Sequence, residues 1–308
     1  MPDMQTLKEI ANQQANKQDG MVDALTNKSP ILAQARWMEA SHGMWNTAEE
    51  VADIQGAGFV EMNSPLPSAG VTTNLRRVDL AIMGARIEVP EDTADQFGGA
   101  GNYFAKRQDK VLRKTGNDTE KTLYYDNWLR YALENPGQAI NAGATAGGVS
   151  SIVVLRFDED GCTGLYDKSQ FAKGTLLNAT PINGGNLYPL MDARWAGVLG
   201  YGVRLLGRFG WQLLDPTCVS AVVNIQAGKL PTAAMIDDAI ALAHGDPADT
   251  LILCHARTAG MAINPIKPNT VIKSGDREVD TIVDHWNRIP IVTSYNLKHL
   301  TETVAVPA

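Results

Sequence analysis

Residues 55–90 limit most strongly what this chain can become. Phe59-Val60-Glu61-Met62 and Arg77-Val78-Asp79-Leu80-Ala81-Ile82-Met83 read as strands. Between them, Asn63-Ser64-Pro65-Leu66-Pro67-Ser68-Ala69-Gly70 is dense in turn formers. The pattern predicts a long two-stranded arm with a Pro-rich tip. An isolated hairpin is marginal in water, and its open edges invite pairing. Such an arm needs a cover, either a larger sheet of its own chain or another subunit.

The preceding segment, 1–54, has the same need. Leu7, Ile10 and Ala11 share a helical face until Asp19-Gly20 interrupts it, and Met21 and Leu25 form a second stripe. Both pieces are too short and too polar to fold alone. Trp37, Met38 and Trp45 add large apolar area. The segment reads as an N-terminal arm, lying on its own domain or on a neighbour.

Farther on, the spacing predicts one long helix over 102–127, bent at Gly116-Asn117. Its basic run is Lys106, Arg107, Lys110, Arg113 and Lys114. A run of this kind is usually a solvated face, and Asp109, Asp118 and Glu120 dilute it. Small residues over 135–150 suggest a link to a new domain. Buried-type strands follow at 151–157, 218–225 and 250–255, with a late strand at 289–293. A helix over 232–244 is expected, with Thr232 as N-cap and Gly245 as stop. The pattern is that of a mixed α+β fold.

At 308 residues and 44% apolar content the chain can bury a proper core. Its formal charge of −7 is the opposite of what a free nucleic-acid binder usually shows. Cys162, Cys218 and Cys254 lie too far apart in sequence for metal-ligand or redox motifs. The N-terminus lacks the apolar stretch of a signal peptide, and no run approaches the ~18 apolar residues of a membrane span.

Few motifs carry chemistry. His42, His244, His255, His285 and His299 form no metal-binding motif. Gly98-Gly99-Ala100-Gly101 lacks the Lys of a phosphate loop, and Gly200-Tyr201-Gly202 fails the dinucleotide fingerprint. The acidic pairs Glu49-Glu50 and Asp237-Asp238 are adjacent, so their side chains do not face each other. Asp158-Glu159-Asp160-Gly161 reads as a hairpin turn, with a weak signal for a surface cation. No catalytic, cofactor or metal residue is assigned.

Five segments in order resemble one family, the major capsid proteins of short-tailed and related phages with the Hong Kong 97 type shell fold. Thr6 to Ala11, Asp19-Gly20, Leu25 to Leu32 and Trp37-Met38-Glu39 resemble its N-terminal arm. Gly58 to Asn63, the Pro-rich tip and Thr72-Thr73 are similar to its extended loop. Ile87 to Asp92 and the helix ending Leu123-Tyr124-Tyr125-Asp126-Asn127 resemble its spine helix. Gly210 to Ile225 resembles its glycine, aspartate and valine-rich segment, and Trp286 to Ile291 its late strand. Ala48-Glu49-Glu50-Val51-Ala52-Asp53 departs from the family's basic residues here, Arg288 replaces a common glycine, and Pro216 interrupts the 210–225 segment.

The resemblance implies an arm (1–54), an extended hairpin (55–90), a peripheral domain with the spine helix (91–150), an axial domain (151–270) and a return to the periphery (271–308). It implies a self-assembling subunit that forms hexamers and pentamers of an icosahedral head around double-stranded DNA. The expected partners are other copies, a separate scaffold protein, the portal and a decoration or cement protein. The expected location is the virion, after assembly in the host cytoplasm. Interface residues expected on the hairpin are Phe59, Met62, Leu66 and Leu80; on the arm, Leu7, Ile10, Leu25 and Trp37. The alternatives are an encapsulin-like nanocompartment shell with protein cargo, or an oligomeric enzyme whose site is assembled from distant residues.

Overall fold

The computed structural model describes residues 29–60, 66, 68–167, 178–266 and 285–307. A one-turn helix, Pro30–Gln34, precedes β1 (Trp37–Glu39), β2 (Trp45–Gln55), β3 (Gly70–Asp79) and β4 (Ala81–Pro90). A short helix, Glu91–Gln96, leads into the long helix Ala100–Thr122. That helix widens into a π segment at Leu123–Leu129 and ends in Arg130–Glu134. Next come β5 (Ala139–Asn141), β6 (Ser150–Arg156), β7 (Cys162–Tyr166), β8 (Asn178–Pro181), β9 (Tyr188–Pro189) and β10 (Leu199–Leu213). β11 (Val219–Ile225), the helix Ala233–Leu242, β12 (Thr250–His255), β13 (His285–Trp286) and β14 (Ile289–Ser294) complete the order.

These strands make two six-stranded sheets and one free ribbon. The first sheet runs β1-β7-β10-β4, with β8 and β9 also on β10. β10 and β4 pair antiparallel from Gly200↔Pro90 to Phe209↔Ala81. At one margin, Trp37 pairs with Gly164. A Cβ on Gly164 would strike the indole, so only glycine admits this ring. The second sheet runs β13-β14-β12-β6-β11-β5. Its strands are near-continuous apolar runs because both faces are covered. On β6, Val153 and Leu155 pack against Leu123, Tyr124 and Trp128 at the end of the long helix. Ile152 and Val154 point the other way, toward Ile236 and Ala239. Fully burying each such side chain contributes ~1.5–3 kcal/mol.

The long helix ties the two sheets together. Tyr103, Phe104 and Leu112 in its first half pack on Val89, Val203 and Leu205 of the first sheet. Its last turns pack on the second.

Several sequence expectations are met and others are corrected. The helix at 233–242 has Thr232 as its cap, accepting from the Met235 N–H, and the Gly245 N–H closes it onto the Ile240 carbonyl. The strands near 151, 219, 250 and 289 lie where expected. The hairpin does not. Its strands are β2 and β3; residues 56–60 carry no strand, Glu61 and Met62 lie outside the described residues, and of 77–83 only 77–79 belong to the ribbon. The Arg77–Met83 run divides around Leu80 into strands of different sheets. Glu and Ala deplete strand propensity in β2. Cross-strand contacts override this: Arg76 pairs with Glu50 at 3.3 Å, and the Arg77 guanidinium lies 4.9 Å over the Trp45 ring. Gly116 does not break the long helix, which is continuous until its π segment.

The division of strands between the two sheets does not follow positions 150 and 270. β5 and β14 join the second sheet from outside 151–270, while β7, β8, β9 and β10 belong to the first. The reason is the ten-position pairing of β10 with β4, which draws the middle of the chain into the first sheet.

Candidate assembly surface

Among the described residues, the β2–β3 ribbon has no third strand. Its base is fixed. Asn46, 3% exposed, donates from Nδ2 to Gln212 Oε1 at 2.8 Å, and its Oδ1 accepts from the Ser41 N–H at 3.0 Å. Gln212 in turn donates to the Asp160 carbonyl at 2.7 Å. His42 and Trp45 stack with ring centroids 3.7 Å apart. Beyond this base, β3 is exposed along nearly its whole length. Strand alternation puts Val71 and Leu75 on one face, 60% and 73% exposed. Phe59 and Leu66 at the outer end are also bare. This apolar stripe lies outside the chain's own core.

A second feature binds Ile31, Ser294 and Asn296 to the long helix. Glu120, fully buried, accepts from the Ile31 N–H at 2.9 Å, from Ser294 Oγ at 2.7 Å and from Asn296 Nδ2. Burial pushes its carboxyl above the usual range despite these donors. A C-terminal strap then crosses the second sheet. The Leu300 N–H donates to Ser150 Oγ, and Glu302 bridges Val149 through the backbone. A bulge in β11 gives Asn224 a positive φ. Its amide both donates to the Ala305 carbonyl and accepts from the Ala305 N–H, each at 2.8 Å. Glu302 takes a hydrogen bond from Tyr125 Oη at 3.1 Å, and burial pushes its carboxyl up to about 7.

Two polar groups have a structural account. Asp158, Asp215 and Cys218 place ligand-type atoms within 4.8 Å of one another. The Arg156 guanidinium already lies there, 3.5 Å from Asp215 Oδ2 and 3.2 Å from Cys218 Sγ. It supplies the positive charge that a cation would bring. His255 and His299 stack 5.2 Å apart, a pairing that a separation of 44 positions hid from sequence reasoning. His255 Nδ1 accepts from the Arg257 N–H and caps a single helical turn. The three cysteines are buried thiols.

The expected interface residues divide three ways. Leu7, Ile10, Leu25 and Met62 lie outside the described residues. Phe59 and Leu66 are exposed on the ribbon side. Leu80, 6% exposed, is covered within the chain by Ala40 and Leu165. Trp37 is half-buried, edge-on to Trp211 and Phe209. Leu80 has little area left for a neighbour, whereas Trp37 keeps part of its ring exposed. Val71 and Leu75 were missed because their strand was placed elsewhere.

This architecture, with a projecting ribbon, a long helix spanning two sheets and a strap-bound second sheet, is a mixed α+β fold. More particularly, it is the Hong Kong 97 type fold of tailed-phage major capsid proteins. A chain of bacteriophage epsilon15 superposes with a TM-score of 0.58 at 15% identity, covering 89% of this chain and 88% of that one. The capsid of bacteriophage JBD30 gives 0.56 at 8% identity, covering 88% and 92%. The encapsulin of the holo-SrpI complex from Synechococcus elongatus gives 0.46 at 12%, covering 64% and 88%. No family model matches the sequence, and no curated protein is significantly similar to it.

Proposed function

We propose that this chain is the major capsid protein of a tailed bacteriophage, and that it works by association rather than catalysis. Copies assemble as hexamers and pentamers into an icosahedral head around double-stranded DNA. The observation that carries this reading is the ribbon: rigid at Asn46–Gln212, bare along Val71 and Leu75, and mounted on a shell-protein fold. Each ribbon lies over a neighbouring copy, with Phe59, Met62 and Leu66 joining Val71 and Leu75 in the contact. The N-terminal arm, through Leu7, Ile10 and Leu25, lies along another. Interfaces of obligate assemblies bury roughly 2,000–5,000 Å². At ~25 cal/mol per Å² of apolar surface the gross gain is large, and ordering the arms offsets part of it.

In this reading the first sheet with the first half of the long helix is the peripheral domain, and the second sheet is the axial domain. The subunit meets a scaffold protein, the portal and a decoration protein in the host cytoplasm, and its final place is the virion. Negative-stain microscopy of the protein, alone and co-expressed with its scaffold, tests the reading. Shells, tubes or capsomer rings are expected. Val71→Asp with Leu75→Asp should abolish them while far-ultraviolet circular dichroism stays unchanged. A uniform small oligomer under every condition would overturn the proposal, and shells filled with protein cargo instead of DNA would identify a nanocompartment.

A further inference from the structure

The long helix carries charge that the sequence pattern undervalued. At 100° per residue, Lys106, Lys110, Lys121, Lys114 and Arg107 fall within about 100° of arc. This arc lies opposite the buried stripe of Phe104, Gln108, Leu112 and Thr119. All five cations are exposed. The acids that dilute the run in sequence do not dilute this face equally. Glu120 is turned into the core, where Ile31, Ser294 and Asn296 hold it. Asp118 is engaged by Lys114 at 2.6 Å, an exposed pair that exchanges readily. Arg107 is held in place, its guanidinium 4.2 Å over the Tyr103 ring. A chain of net charge −7 thus presents a local basic ridge. From Lys106 to Lys121 it spans ~22 Å at ~1.5 Å per residue.

We infer that this ridge is a contact surface for the phosphate backbone of duplex DNA. The inference rests on the reading of the chain as a genome-enclosing shell subunit. Three properties favour a polyphosphate over an acidic protein. The ridge offers no large exposed apolar side chain between its cations, whereas protein interfaces are built around apolar centres and are depleted in Lys. Its cations recur along a straight axis, which suits a regular line of charge. Nothing on it is arranged to read bases, as expected for sequence-independent packing. With the rest of the wall near neutral or acidic, contact is weak and salt-sensitive, so packaged DNA is held against the ridge without being fixed.

The test uses unassembled protein isolated by size exclusion and a fluorescent 30-base-pair duplex of random sequence, titrated between roughly 30 and 200 mM NaCl. The ridge variant is Lys106→Gln, Lys110→Gln and Lys121→Gln. The control, Arg194→Gln, Lys229→Gln and Arg288→Gln, removes the same charge elsewhere. The ridge variant should bind at least about tenfold more weakly at the lowest salt and lose roughly 2–3 from the slope of log K against log salt. The control should lose much less. Equal losses in both variants, or no binding by the unaltered protein at low salt, would overturn the inference. Tighter ridge-dependent binding of poly-glutamate than of the duplex would also overturn it and mark a dock for an acidic protein. Microscopy of the same preparations separates the two claims. Shells without ridge-dependent binding refute only the ridge; ridge-dependent binding without shells refutes only the capsid reading.

Discussion

Glu120 and Glu302 are carboxyl groups that the fold removes from water, each where distant segments meet. Glu120 joins the residue-31 turn, the long helix and the end of β14. Glu302 fastens the strap beside Tyr125, Ser151 and Lys298. Burial raises the Glu302 carboxyl from 4.5 to about 7, the reverse of the usual direction for a hydrogen-bonded acid. Between those values the folded chain binds a proton that the unfolded chain has released. The stabilisation is therefore complete below the unfolded value and is lost as pH rises through about 7. In urea titrations of the unassembled subunit, this group should lower the midpoint as pH goes from 5 to 8. Glu302→Gln should flatten that dependence, whereas Tyr125→Phe, which removes a donor that holds the Glu302 carboxyl down, should steepen it. An unchanged slope in Glu302→Gln would assign the pH response to other groups, Glu120 first among them. Both acids were visible as letters in the sequence, but their burial was not. Their partners lie 174 and 177 residues away in the chain, for Ser294 with Glu120 and Tyr125 with Glu302.

The ribbon shows how an element can be foreseen in kind and misplaced in position. Turn-forming residues at 63–70 announced a two-stranded arm, and one exists. Propensity favoured Phe59 to Met62 as its first strand over the acidic 45–55 segment. The cross-strand pairs Glu50–Arg76 and Trp45–Arg77 decide otherwise, and so does the buried amide pair at the base. Asn46 and Gln212 lie 166 residues apart, so no local pattern could signal them. Asn46→Leu would leave Gln212 Nε2 with the Asp160 and Glu159 carbonyls but would strip Gln212 Oε1 of its donor. A buried acceptor left bare costs about 1–3 kcal/mol. The variant should be less stable by that amount in denaturant, and limited proteolysis should cut faster within residues 45–79. Stability unchanged within error would mean that the amide pair does not anchor the ribbon.

Taken whole, the molecule is two sheets on one helix. Gly116, buried and mid-helix, lies between the contacts with the first sheet and those with the second. Gly116→Pro would remove one backbone hydrogen bond and drive the ring into the preceding turn, at ~3 kcal/mol or more. Calorimetry of the unassembled subunit should show one transition for the unaltered protein and two for the variant; a single shifted transition would mean the sheets communicate by other routes. The sequence alone determined the apolar-run strands and the capped helix at 233–242, because those depend on neighbours a few residues apart. It also carried the ordered resemblance that led to the shell fold. Only the tertiary structure decided which strands share a sheet, where Leu80 is buried, and which acids leave the surface of the long helix. Those outcomes depend on pairings across a hundred residues or more, such as β10 with β4, where burial and hydrogen bonding outweigh local propensity.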